Sequence, residues 1–174
     1  MSNLFENINV NIDNLPQLIS ANFLPLERKY RAFMILRNSL IFLGLAVVVS
    51  VISYILIDKI DIIIIAIPFI AIVLLYSFSM FIVYKGFDKK GYLLRKHDLS
   101  YKSGFLFQHQ ISIPKNRIQH IEIRQGILLR MFKLSKLIVY TAGGSGSDLS
   151  ISGLNPNTAK QLKEEISLNI SVHE

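Results

Sequence analysis

Hydrophobic positions along this chain follow three rhythms in succession, and each predicts a different kind of element. From Ser39 to Ile57 ("SLIFLGLAVVVSVISYILI") and from Ile62 to Tyr84 ("IIIIAIPFIAIVLLYSFSMFIVY") the sequence is continuously apolar and uncharged. Each run reaches the roughly 20 helical residues that a bilayer core requires. The link "DKID", Asp58 to Asp61, is too polar to bury and too short for more than a tight turn. The two runs therefore predict a transmembrane helical hairpin over residues 39–84, with spans 39–57 and 62–84. A cleaved leader is the competing reading of the first run, but a mostly polar segment precedes it and no small-x-small site follows. Tyr54 and Tyr84 fall where interfacial aromatic anchors belong, and Pro68 reads as a bend tolerated by packing.

After Tyr84 the period becomes two, the mark of half-buried strands. Strands are predicted at Gly91 to Arg95 and Leu99 to Lys102. A long one follows in which Phe105, Phe107, His109, Ile111 and Ile113 face inward and Pro114 ends the run. "RIQHIEIRQ" (Arg117 to Gln125), "KLIVYT" (Lys136 to Thr141) and "DLSIS" (Asp148 to Ser152) supply three more, and "GILLRMF" (Gly126 to Phe132) reads as a short helical turn. The third rhythm is helical: Asn155 can cap, Pro156 suits the first turn, and Ala159, Leu162, Ile166 and Ile170 recur at helical spacing. Residues 85–174 thus predict consecutive antiparallel strands closed by one helix, an α+β layout with too few helices for parallel crossovers. Residues 1–38 form an N-terminal segment, in which Leu26 to Arg37 can begin a helix lying in the headgroups.

Composition agrees with a membrane partner. The 174 residues are 51% hydrophobic yet carry a net charge of +7. Arg28, Lys29, Arg31 and Arg37 precede the hairpin and Lys85, Lys89 and Lys90 follow it, whereas Lys59 in the link is offset by two aspartates. Both termini are therefore expected on the cytoplasmic side of a cell's inner (plasma) membrane. Twelve Lys and Arg from Lys85 to Lys136 face only Asp88, Asp98 and Glu122. Near an anionic leaflet each cation gains about 1 kcal/mol, although the same residues also serve as topology signals and solvating groups. A lipid-headgroup reader needs several of Arg95, Lys96, Lys102, Lys115, Arg117 and Lys133 to converge on one pocket facing the bilayer. Nucleic acid is disfavoured, because the cations are not interleaved with an aromatic stacking platform.

Catalytic chemistry is thin. "VYTAGGSGSDLSIS" (Val139 to Ser152) looks like a phosphate loop, but no Lys follows the glycines and the next element is a strand. A nucleophile elbow fails too, since Ser147 stands where the second glycine belongs. The stretch reads as a hairpin turn. The chain has no cysteine, His97, His109 and His120 sit singly, and Glu164 and Glu165 lie on the solvent face of the last helix. No catalytic residue, metal site, cofactor or small-molecule substrate is expected.

Several stretches resemble the bacterial pleckstrin-homology-like (PH-like) membrane proteins of the YdbS type, which also carry a two-helix hairpin before the domain. These are "SYKSG", "IPKNRIQHIEIRQG", Arg130, "LIVYTAGG", "ISGL" and the helix with Ala159 and Leu162; the similarity runs from about Arg37 to Ile170. Its most specific positions are Pro114, Arg117, Ile118, Gln119, Gln125, Arg130, Thr141, Ala142, Gly143 and Gly144. A glycine is expected after the "RMF" turn, where this chain has Lys133. The resemblance implies two packed antiparallel sheets with a C-terminal helix, no catalysis, and association with a larger membrane protein carrying several copies of the domain. Pro114, Gln119, Gln125, Arg130, Thr141, Gly143 and Gly144 are then structural. Two functions follow as expectations: an assembly module acting with such a partner or with its own copies, in envelope maintenance or defence, or a sensor of anionic lipid headgroups.

Overall fold

The computed structural model describes residues 22–58, 61–142 and 148–170. A two-residue strand, β1 (Leu24–Pro25), precedes two long helices, α1 (Arg28–Leu56) and α2 (Ile62–Phe87). Both are long and apolar enough to cross a membrane, and the most apolar window of each is 0% buried by protein. A core helix of a soluble domain would be covered; these two are apolar all round and uncovered. They pack side by side across a small polar belt. The Ser39 and Tyr76 hydroxyls lie 3.0 Å apart, Ser79 donates to Asn38 Oδ1 at 2.8 Å, and Phe42 meets Tyr76 edge-on. Ser50 and Ser77 satisfy their hydroxyls on carbonyls one turn back.

After α2 come β2 (Gly91–Leu94), β3 (Asp98–Ser103), β4 (His109–Pro114), a single 3-10 turn (Lys115–Arg117), β5 (Ile118–Arg124), α3 (Ile127–Met131), β6 (Ser135–Thr141), β7 (Leu149–Leu154) and α4 (Pro156–Ile170). One antiparallel sheet has the order β1-β2-β3-β4 and the other β5-β6-β7. The fold is α+β, as the alternating pattern predicts. Leu24 pairs with Tyr92 and Pro25 with Gly91, so β1 and β2 are neighbours in the first sheet. The helical hairpin is therefore the connection between two adjacent strands.

Leu99, Ile113, Ile121, Leu137, Val139 and Ile151 from the sheets meet Ala159, Leu162 and Ile166 of α4 in one core. Leu26, Tyr30, Phe33 and Met34 belong to that same core. A separate headgroup-lying helix over Leu26 to Arg37 is thus not formed. Arg28 to Leu56 is one continuous helix, and Tyr30, Phe33 and Met34, spaced by three and four, turn into the sheets instead.

The long strand predicted over Phe105 to Ile113 also differs. Residues 105–108 lie outside any strand, β4 starts only at His109, and of the expected inward residues Ile113 alone is buried while Phe107, His109 and Ile111 are exposed. Gly104 is the reason. At φ +100° it turns the chain so tightly that a Cβ there would lie 1.8 Å from the Phe107 carbonyl oxygen. The alternation therefore runs on in sequence through a loop. The β6–β7 pair flanks the expected hairpin turn, whose residues 143–147, including Gly143 and Gly144, lie outside the described residues.

Candidate functional site

The junction between helices and sheets is tightly built. Gly153 is an extra residue in β7, opposite the step from Ser135 to Lys136, with φ +88°. A Cβ there would lie 2.3 Å from Cγ of Tyr30, so the ring lies directly on the backbone. The Gly153 carbonyl accepts the Glu27 N–H at 3.0 Å, just ahead of α1. Phe33 stacks on Tyr30 and meets Phe132 edge-on at 6.0 Å. Lys90 sits over the Tyr30 ring with its Nζ 3.5 Å from Met34 Sδ; burial, assisted by the nearby Arg37 charge, lowers its pKa. Arg31 pairs with Asp88 and lies over Tyr84 and Phe87, tying α1 to the end of α2. Sequence reasoning missed this junction. Its one signal was an isolated glycine inside the strand pattern "ISGL", which marks a bulge or a close backbone approach.

The six cations proposed as a lipid or partner surface do not form one pocket against the helices. Arg95 is held by Asp98 through two hydrogen bonds of 2.6 Å. Asp98 also accepts from Ser100 at 3.0 Å and Ser112 at 2.5 Å. The Arg95 bonds lead in pulling its carboxyl down to about 2, the serines adding to them against the opposing effect of burial. Lys115 is buried, with Nζ 3.8 Å from Glu165. Lys96 and Arg117 are exposed. These four gather around the β2–β3 turn and the β4–β5 link, where Asp98 pairs with Pro114 and Lys115 N–H reaches the His97 carbonyl. Lys102 stands at the other end of β3, paired with Gly91 and lying over Phe23 at 4.4 Å. At about 3.3 Å per residue, the β2–β3 turn lies about 15 Å along the sheet from the end that meets α2. Lys133 is exposed after α3 and adopts φ 54°, the left-handed conformation for which glycine is suited.

The described motif residues differ in their contacts. Gln125 donates to the Leu134 carbonyl and to the buried Ser135 hydroxyl, both at 2.9 Å, fixing the chain after α3. Thr141 donates from its N–H and its hydroxyl to Asp148, each at 2.7 Å, and these bonds lower the Asp148 pKa. Pro114 ends β4, and the Arg130 carbonyl accepts the Lys133 N–H at 3.0 Å. Gln119 is exposed at a bulge, where the register steps from Ile118 to His120.

Several surfaces of the described residues stay exposed. β4 is the outer strand of its sheet, and its residues His109 to Ser112 are exposed. On α3, Ile127 and Met131 point outward. On the second sheet His120 stacks on Tyr140 at 4.2 Å beside the Glu122–Arg124 pair, a closed set of contacts. A hollow of about 420 Å³ opens between the start of α1 and α4, lined by Glu27, Arg28, Lys29, Tyr92, Asn155 and Thr158 among others. Among the described residues no three His, Asp or Glu are grouped to hold a metal ion. A family model described as a bacterial PH domain matches residues 31–170. No curated protein and no solved structure matches the chain.

Proposed function

The chain belongs to the bacterial PH domain family, and on that footing we propose that it is a non-enzymatic module, anchored by its hairpin in the inner membrane with both termini cytoplasmic. It assembles there with a second PH-like membrane protein or with its own copies, in maintenance or defence of the cell envelope. The observation that carries the assembly reading is the open β4 edge. Among the described residues β4 pairs with β3 on one side only; such an outer strand is a template for a partner strand, and Ile111 at its centre offers an apolar contact. The lipid-sensor alternative is less favoured. Arg95 and Lys115 already face carboxylates, and Lys96 and Arg117 lie at the far end of the sheet from the hairpin.

Two experiments test this reading. A reporter fused after the C-terminus should be active only in the cytoplasm, and one placed in the Asp58–Asp61 link only outside; the reverse pattern refutes the orientation. Full-length protein isolated in mild detergent should carry a stoichiometric partner or form a defined oligomer, and Ile111→Lys should release it. A wild-type protein that stays monomeric and retains anionic lipid, lost on replacing Lys96 and Arg117 by Ala, would establish the lipid sensor in its place.

A further inference from the structure

The loop between β3 and β4 carries three large apolar residues, and its geometry relates them to the helical hairpin. Phe105 packs edge-on against Phe81 of α2 at 5.8 Å between ring centroids, while its Cβ lies 3.5 Å from where a Cβ on Gly86 would be. Its side chain therefore runs along α2 from the level of Gly86 toward that of Phe81. Counting from Ile62, Phe81 closes a helical stretch of roughly 20 residues, about 30 Å, which is the thickness of a hydrocarbon core. The polar belt gives the same level on α1: Ser79 contacts Asn38, directly after Arg37. Beyond Phe105 the tip presents Leu106 at 60% and Phe107 at 78% exposure. The tip is built rather than slack, because the Gly104 turn closes on the Phe107 carbonyl with no space for a side chain.

We infer that Leu106 and Phe107 are a membrane wedge: the β3–β4 loop inserts into the boundary between headgroups and acyl chains of the leaflet that the hairpin enters. The inference rests on the hairpin spanning the membrane. Its occupant is lipid, because the loop continues the apolar surface of α2 through Phe105 and Phe81. The wedge adds a third attachment point beside the two helices and sets the tilt of the sheets against the bilayer.

The chain contains no tryptophan, so a single one reports its own surroundings. Phe107→Trp and, separately, Val48→Trp at the middle of α1 are placed in full-length protein reconstituted at low density into phosphatidylcholine/phosphatidylglycerol vesicles. The expected result is a Phe107→Trp emission quenched several-fold more by lipids brominated near the headgroup end of the chain than by aqueous iodide. Val48→Trp should be quenched best by deeply brominated lipids. If Val48→Trp behaves so while Phe107→Trp responds to iodide and not to bromolipid, the loop faces water and the wedge is refuted with the span intact. Protection of Phe107→Trp from both quenchers refutes it too, since the tip is then covered by protein. A Val48→Trp that no bromolipid quenches overturns the spanning reading, and the wedge with it.

Discussion

Cutting the sheets away from the two long helices should destroy them. A fragment of residues 88–174 contains every strand from β2 onward together with α4. It lacks Leu26, Tyr30, Phe33 and Met34, whose exposures in the full chain are 4%, 6%, 7% and 3%. Burying one side chain of this kind is worth about 1.5–3 kcal/mol, so four correspond to roughly 6–12 kcal/mol. The surface they cover on the fragment, including Phe132 and Gly153, is of similar area and becomes bare. The chain entropy saved by omitting these residues belongs to them and does not return to the fragment. Since a whole domain is stable by about 5–15 kcal/mol, the loss is of the order of the total. The fragment should show no cooperative thermal transition in circular dichroism and should aggregate. A second protein joins residues 22–34 to residues 88–174 through a short Gly/Ser linker, which can reach because Arg31 pairs with Asp88 and Lys90 touches Met34. It should fold and melt cooperatively in water. A cooperative transition in the bare fragment, at a temperature like that of the linked protein, would refute the assignment of the α1 start to the domain core.

Gly153→Ala should cost about 2–5 kcal/mol, combining about 1–2 kcal/mol for the left-handed backbone with about 1–3 kcal/mol for overlap with Tyr30; in a Tyr30→Ala background the overlap part should vanish, and additive melting shifts would contradict the contact. Lys133→Gly should stabilise by about 1 kcal/mol, since the φ of 54° is strained for lysine, and an unchanged or lower melting temperature would count against that geometry. Gln125→Ala should cost about 1–2 kcal/mol by leaving the Leu134 carbonyl and Ser135 hydroxyl short of a donor, whereas Gln119→Ala at its exposed bulge should cost under about 0.5 kcal/mol, so equal losses would contradict the hydrogen bonds. The Asp98 carboxyl falls from an ordinary 3.8 to about 2 on folding, so its contribution is complete above about pH 4 and is lost as pH falls toward 2; Asp98→Asn should flatten that limb of the stability curve measured by chemical denaturation, and an unaltered limb would refute the assignment.

How much of this was legible depends on whether the cause lies within a segment or between segments. The two long helices are local statements, because twenty apolar residues in water-free surroundings have few other choices. Helix α4 is equally local, through Asn155, Pro156 and the Ala159, Leu162, Ile166 stripe, and Asn155 Oδ1 does accept the Asn157 N–H at 3.0 Å. The strands were legible wherever one face is covered, as in Ile121 or Leu137 with Val139. The period failed at Phe105 to Gln108, where the burying partner is helix α2 and the turn depends on a single glycine. The pairing of Leu24 with Tyr92 was out of reach, because two residues carry no period and their partner lies beyond the hairpin. The cations were visible as a count but not as a surface. Only the register of β3 on β4 puts Arg95, Lys96, Lys115 and Arg117 together, and only the structure pairs Lys115 with Glu165.

The position of the hairpin between β1 and β2 bears on what kind of binding the module favours. A domain hung from a membrane on a flexible linker keeps its rotational freedom and loses it on meeting a partner, at a cost of several kcal/mol. Here the chain leaves the first sheet at Pro25, enters α1 almost at once, and returns from α2 at Phe87 to re-enter the same sheet at Gly91. Tyr30 on Gly153, the Glu27 bond to the Gly153 carbonyl and the Arg31–Asp88 pair brace both helices against the sheets. On the proposed reading, in which the two helices span the membrane, orientation is fixed before any encounter, which favours contacts between neighbours in the same membrane, each presenting its edge at a set height and angle. Rigid attachment and an open outer strand are properties that lateral assembly uses together.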